Sequence, residues 1–202
     1  MRPVDASAAD GVARRTFEET IGLHQRVSAQ AIPEIARAAS LIVEALAAGG
    51  KVLAFGNGGS AADAQHLVAE LVGRFQQDRR GFAAIALTTD TSVLTSVAND
   101  YGFDRVFARQ IEALGRAGDV AVAISTSGES PNVAAGVEAA DRHGLRVVAL
   151  TGRNGGRIGA HADVHVNVPH ASAARVQEVH RTVIHAICEI VEIAGAEKIT
   201  GR

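Results

Sequence analysis

His66 and Glu70 stand four residues apart in a stretch that reads as a helix, so they share one face of it. An imidazole and a carboxylate placed together can bind a metal ion or move a proton. Just ahead of them the apolar run Val52 to Phe55 stops at a glycine-rich loop, Gly56-Asn57-Gly58-Gly59. A helix then begins at Ser60 or just after. That order sets bare backbone N–H groups and a helix N-terminus at the end of a buried strand, where an anion binds readily. A metal-binding or acid–base pair close to such a loop points to an enzyme acting on a phosphorylated small molecule. Spacing alone also fits an exposed i,i+4 pair with no chemistry.

A second loop carries the same logic. Ser125-Thr126-Ser127-Gly128-Glu129-Ser130-Pro131-Asn132 follows another apolar run, with Ser130 placed as an N-cap and Pro131 as the first helical residue. The hydroxyls of Ser125, Thr126 and Ser127 stand in front of that helix N-terminus, whose dipole favours a phosphate. One serine-rich turn is most simply a capped turn. Two anion-ready loops in one sheet favour a phosphate site. They would flank a ligand if the strand order were 2-1-3-4-5, because ligands bind where the order reverses. The pattern Gly56-x-Gly58-x-x-Ala61 also matches a dinucleotide fingerprint formally. The acidic residue that fingerprint needs about 20 positions on is misplaced, since Asp90 comes 29 residues after Ala61.

The elements that must position these loops follow from periodicity. Helices are expected over about 6–29 and from Pro33 to Gly49-Gly50, the proline sitting in a first turn. Strands are expected at 51–55, 83–87, 119–125, 145–150 and 163–167. Helices fall between them at about 60–76, 91–98 with 104–115, 131–142 and 154–160, and a last one covers about 172–196. Strand and helix in alternation imply an α/β three-layer sandwich, a five-stranded parallel sheet covered on both faces, preceded by a helical segment over 1–48. The last helix is apolar over more than one stripe, so it is buried on several sides, within its own domain or against another subunit.

At 202 residues with 47% hydrophobic content the chain can bury one full-sized core, so a single domain over 1–202 is expected. A net charge of −2 gives no reason to expect nucleic-acid binding. No apolar run is long enough to span a membrane, and the first 30 residues, with Asp5, Asp10, Glu18 and Glu19 and no apolar block, do not read as a secretory leader. Cys188 is the only cysteine, which suits a reducing cytoplasm.

With both loops in view the chain resembles the sugar isomerase (SIS) domain family, and within it the phosphoheptose isomerases. The resemblance runs from about Ala48 to Ile193. It is carried by Gly56-Asn-Gly-Gly-Ser60, His66-x-x-x-Glu70, Asn99-Asp100, Ser125-Thr-Ser-Gly-x-Ser130 and Gln177-Glu-Val-His-x-x-x-x-His185. It implies aldose–ketose isomerisation of sedoheptulose 7-phosphate to D-glycero-D-manno-heptose 7-phosphate through an enediol, for heptose biosynthesis. It further implies sugar contacts from Asn57, Gly58, Gly59, Asn99 and Asp100, and a phosphate held by Ser125, Thr126, Ser127 and Ser130. One zinc ion per site would be bound by His66, Glu70, Gln177 and His185, with Glu70 and Gln177 also touching substrate. Glu70 then suits the base and His185 the acid. A homotetramer with sites at subunit interfaces is implied as well. The chain departs from some members at Ala174, where those have an aspartate.

Without the resemblance His185, flanked by Ile184, Ala186 and Ile187, would read as a hydrogen-bonded core histidine. His180 keeps that structural reading, and His143, His161, His165 and His170 read as surface or loop residues. Gln177 and His185 are eight residues apart, about 12 Å along a helix and about 80° around it. Either the helix starts late, or the two residues serve sites formed with a neighbouring chain. Two readings from other classes stand beside the isomerase. One is a non-enzymatic SIS regulator that binds the replication initiator, suggested by Thr89-Asp90 and Ser172 to Gln177; the other is a phosphosugar sensor. Neither needs Glu70 and His185.

Overall fold

The computed structural model describes residues 5–199, with side chains as far as Gly195. Its sheet is β1 (Val52–Gly56), β2 (Ala84–Ala86), β3 (Val120–Ser125), β4 (Arg146–Gly152) and β5 (Val164–Val168). All strand pairs are parallel, in the order β2-β1-β3-β4-β5. Between and around them run α1 (Ala6–Ala47), α2 (Gly59–Val72), α3 (Thr91–Tyr101), α4 (Val106–Leu114), α5 (Pro131–Arg142), α6 (Gly156–Ala160) and α7 (Ala173–Ile199). Each expected strand is present, shifted by a residue or two. The order reverses between β1 and β3, where both anion-ready loops leave the sheet.

Alternate strand residues face opposite layers, as the period of two requires. Val52, Ala54, Val122, Ile124, Leu150 and Val166 pack under α1, α2 and α7. Leu53, Phe55, Ala121, Ala123, Val147 and Ala149 pack under α3 to α6. The three-layer sandwich is therefore asymmetric: α2 and α7, which carry His66, Glu70, Gln177 and His185, share one layer, and α3 with Asn99 and Asp100 lies in the other. Among the described residues no helix is long and apolar enough to cross a membrane.

One expectation is corrected. The two N-terminal helices are a single helix of 42 residues with Pro33 inside it. An internal proline costs roughly 3 kcal/mol, from its missing hydrogen bond and its clash with the carbonyl four residues back. Here Pro33 and Ala29, whose carbonyl it leaves free, are both exposed, so water can serve that carbonyl. The buried stripe Leu23, Val27, Ala31, Ala38, Ile42, Ala45 runs through the proline without a break. α1 lies along α7, and polar bonds fix its register. Thr20 donates to Glu178 Oε2 at 2.5 Å, Arg175 to the Thr16 carbonyl at 2.8 Å, and His24 Nε2 meets Thr182 Oγ1 at 2.9 Å. α2 also differs at both ends: it starts at Gly59 and stops at Val72, four residues short of the expected end.

Packing under β1 and β3 is close at Gly136 of α5, where a Cβ would stand 2.7 Å from Phe55 Cε2 and 3.2 Å from Phe107 Cβ. Phe55 is fully buried against Phe107, ring centroids 5.2 Å apart, and has nowhere to move. Gly136→Ala gains about 1 kcal/mol of helix propensity but overpacks the core, at a cost of roughly 1–3 kcal/mol. We expect a net loss and a melting temperature lowered by a few degrees. A thermal melt at or above the wild-type value would contradict this account of the core.

Candidate active site

β1 and β3 are adjacent and in register, Gly56 opposite Ile124, so their loops leave the sheet side by side. Gly56 has no room for a side chain: a Cβ would meet the Ile124 carbonyl at 2.6 Å and Ser60 Cβ at 2.9 Å. Gly58 caps α2 at φ 56°, a left-handed value that favours glycine. The two loops are tied by a reciprocal amide pair. Asn57 Nδ2 donates to Asn132 Oδ1 at 2.8 Å, and Asn132 Nδ2 donates back to Asn57 Oδ1 at 2.9 Å. Asn132 is buried and its Oδ1 also accepts the Val133 N–H at 2.9 Å.

The hydroxyl loop is organised around Ser125, whose Oγ lies 3.2 Å from Ser130 Oγ and 3.4 Å from Ser127 Oγ. Ser130 occupies the expected N-cap position of α5 with Pro131 behind it, yet its side chain makes no capping bond. The oxygen turns towards Ser125 instead, so the hydroxyls gather in front of the helix N-terminus. Gly128, at φ +69°, lets the loop touch the backbone of Gly155 and Gly156 beyond β4. That loop is braced from β4 and β5. Thr151 donates to Asn167 Oδ1 at 2.9 Å and receives His165 Nε2 at 2.6 Å, while buried His180 Nε2 donates to the Thr151 carbonyl at 3.0 Å. Burial holds the His180 imidazole down to about 4, offset only in part by that bond, so it is neutral and structural. His165 is thus no surface residue; it is half-buried beneath Gly155 and Gly159.

On the other side of α2, His66 Nε2 lies 2.7 Å from His185 Nε2 and 3.4 Å from Glu70 Oε1. One donor atom from each of the three falls within 4.8 Å of the others. Two imidazoles and a carboxylate are a donor set that can hold a zinc ion with a position left for substrate. Burial, and then the Arg181 guanidinium, keep His66 below its ordinary value, which favours the neutral imidazole that ligates. Cys188 is buried, which pushes its thiol up to about 12, and it is not one of the three converging residues.

The remaining candidates fall elsewhere in one chain. α7 begins at Ala173, well before Gln177, so it does not start late. Gln177 lies over Gly59, where a Cβ would run into its side-chain amide. Its place is thus at the N-terminus of α2, about 10 Å along that helix from His66. Asn99 and Asp100 are exposed at the end of α3 and bonded to each other at 2.7 Å. Ala174 is exposed at the start of α7. Asp90 caps α3 by accepting the Val93 N–H at 2.9 Å, a structural role that ends the dinucleotide reading. Three residues were not singled out in the sequence. Asn132 sits inside the hydroxyl-loop motif but shows its role only through burial. Glu192, an acid among Ile187, Cys188 and Val191, signalled a need for a partner. Asp63, buried, pairs with Arg181 Nη2 at 2.7 Å, yet burial still holds its carboxyl above the usual range.

The SIS domain family model matches residues 17–152. The phosphoheptose isomerase of Geotalea daltonii is 55% identical over 180 residues, covering 87% of this chain and 94% of that protein. The phosphoheptose isomerase of Neisseria meningitidis is 52% identical over 179 residues, covering 87% and 91%. A solved phosphoheptose isomerase from Neisseria gonorrhoeae matches with a TM-score of 0.88 at 48% identity, over 92% of this chain and 99% of that one. The chain belongs to the phosphoheptose isomerase family.

For a phosphoheptose isomerase the joint between the two ligand loops is the element most exposed to test. Asn132→Ala would leave the Asn57 amide without its partner, at a cost of roughly 1–3 kcal/mol, and would loosen the start of α5. We expect a lower melting temperature together with a raised KM for sugar phosphate. Wild-type KM in a folded Asn132→Ala protein would show that the amide pair plays no part in holding the loops.

Proposed function

We propose that this chain isomerises sedoheptulose 7-phosphate to D-glycero-D-manno-heptose 7-phosphate, with Glu70 as base and His185 as acid. The observation that carries the reading is the convergence of His66, Glu70 and His185 at 2.7–3.4 Å. It comes in a chain about half identical to named phosphoheptose isomerases over most of its length. Aldose–ketose conversion requires a positioned acid and base, which binding-only regulators and sensors of phosphosugars do not.

The reaction moves a proton from C1 of the ketose to C2 through an enediol. The Glu70 carboxylate takes the C1 proton, and the C1–H electron pair becomes the C1–C2 double bond. His185 donates a proton to the carbonyl oxygen, so charge does not build up there. Glu70 returns its proton to C2 while the C1 hydroxyl gives its proton to His185 and the C1 aldehyde forms; both residues are restored, and no outside oxidant or reductant is needed. His66, Glu70 and His185 would hold zinc, one per site, with Gln177 as a fourth ligand. Zinc supplies a Lewis acid for the substrate oxygens when bound. Ser125, Thr126, Ser127 and Ser130 would hold the phosphate at the N-terminus of α5, and Asn57, Gly58, Gly59, Asn99 and Asp100 the sugar.

The chain would act as a homotetramer with sites between subunits. The separation of Gln177 from the cluster supports this, as do Asn99 and Asp100 on the opposite layer. Exposed Val12, Phe17, Ile21 and Ile32 on α1 would be covered by other copies. A single buried cysteine and a sugar-phosphate substrate suit the cytoplasm.

Two experiments test the reading. Glu70→Gln keeps size but cannot take the C1 proton. General base catalysis contributes about 10²- to 10⁴-fold, so kcat should fall by at least the lower figure while phosphosugar binding survives. In D₂O the wild type should place deuterium at C2 of the aldose, and Glu70→Gln should abolish incorporation with turnover. Near-normal turnover would move the base elsewhere, to Asp100 or His185. For the metal, chelation should lower activity and zinc restore it. His66→Ala should lose bound zinc with the fold intact by circular dichroism. Stoichiometric zinc in that variant would remove His66 from the ligand set.

A further inference from the structure

α2 stops at Val72, so the carbonyls of its last turn lack partners inside the helix. The Gly73 N–H takes that of Ala69. Those of Glu70 and Leu71 are gripped by one side chain: Arg79 Nη2 donates to the Glu70 carbonyl at 2.7 Å and Nη1 to that of Leu71 at 3.0 Å. Arg79 Nε donates to Glu192 Oε1 at 3.1 Å, and both side chains are only 2% exposed. The Glu192 carboxylate also accepts three successive backbone N–H groups, from Phe75, Gln76 and Gln77, at 2.9, 2.8 and 2.9 Å. Burial acts to raise the Glu192 carboxyl. The three N–H groups and Arg79 outweigh it, hold the group below its ordinary value and keep it charged. Phe82 lies beneath the Arg79 guanidinium, 4.0 Å from its ring centroid.

A buried ion pair is a poor source of net stability, because desolvation cancels much of the attraction. Its contribution here is geometric. Arg79 holds the backbone of Glu70 itself. Glu192 stands two turns beyond His185 on α7 and pins the loop that carries Phe75, whose ring centroid lies 5.5 Å from that of His185. The pair therefore joins the helix bearing His66 and Glu70 to the helix bearing His185. We propose that Arg79 and Glu192 are positioning residues for the cluster, fixing the Glu70 carboxylate and the His185 ring relative to each other. The activity arm of this inference rests on the isomerase reading; the metal arm does not.

Arg79→Lys keeps the charge but replaces a planar fork by one compact donor, and Glu192→Gln keeps the shape but removes the charge. Both are made in the full-length protein; where one fails to fold, the other carries the test. We expect kcat to fall about 10-fold or more with KM within about twofold. Zinc affinity by chelator competition should weaken by about 10-fold or more, the scale on which groups supporting a metal ligand act. Phe82→Leu removes the ring beneath the guanidinium and keeps the backbone N–H that residue 82 donates to the Leu71 carbonyl at 2.9 Å. It should lower the melting temperature while leaving kcat and zinc affinity near wild type. Wild-type kcat and zinc affinity in folded Arg79→Lys or Glu192→Gln would overturn the proposal. So would losses in Phe82→Leu equal to theirs, which would mark general loosening of the loop. A wild type that does not convert the substrate overturns the isomerase reading instead, and the zinc competition still decides the clamp.

Discussion

The parallel pairing of β1 with β3 is the constraint on which the ligand loops depend. β1 also pairs with β2, so it sits between its sequence successor and the strand after that one. The chain must cross from one side of β1 to the other. The loops at Gly56 and Ser125 leave the sheet side by side at that crossing. Parallel strands end in register, and both helices start just past the carboxyl ends of their strands. Two sets of helix N–H groups therefore point at one region without any side chain arranging it. The side chains refine this. Asn57 and Asn132 lock the spacing of the two loops, and glycine at Gly56 and Gly128 permits approaches that a Cβ would block.

The second half of the chemistry depends on a different contact, α2 against α7. Helices pack through apolar ridges, which fix separation well and axial register less well. Here polar bonds supply the register at several levels. Arg181 meets Asp63, His185 meets His66, and Glu192 meets Arg79. Each interaction is a weak contributor to stability on its own, since buried charges give back in desolvation much of what they gain. Together they exclude a slide of one helix turn, which would leave several buried polar groups without partners.

The sequence made the sheet legible because five short apolar runs bounded by glycine and alternating with helical periodicity admit few other folds. The helix after β3 was readable to the residue, since Ser130 and Pro131 mark its start and Gly144 follows its end. The break placed at Pro33 was not, because a local rule met a longer-range one. Proline disfavours a helix interior, but the buried stripe from Leu23 to Ala45 gains more from continuity than an exposed, water-served carbonyl loses. The end of α2 was misplaced for a related reason. Nothing in the helix itself stops it at Val72 except Gly73, and the groups that close it are Arg79, in the loop that follows, and Glu192, on distant α7. The pairing of His66 with Glu70 followed from spacing, whereas their meeting with His185 needed the packing of α2 on α7. The Asn57–Asn132 pair was hidden because an asparagine behind Pro131 reads as one more turn residue until its burial is known.

The span of the proposed substrate supports the proposal that sites form between subunits. Glu70 lies eleven residues beyond Gly59 on α2, about 16 Å along the helix axis. A seven-carbon sugar phosphate, extended from C1 to phosphorus, reaches about 10 Å at the ~3.6 Å that an extended chain covers in three bonds. On the proposed reading, a phosphate seated among Ser125, Ser127 and Ser130 beside the glycine loop would set C1 and C2 short of the Glu70 backbone of the same chain. Gln177 meets the same difficulty from the other direction, since it sits over Gly59 while His185 sits against His66. Both mismatches vanish if the ligand loops of one chain face the α2–α7 cluster of another. In the proposed arrangement Glu70 and the serine loop would act on one sugar from different subunits, and the exposed apolar residues of α1 would be covered where the two meet.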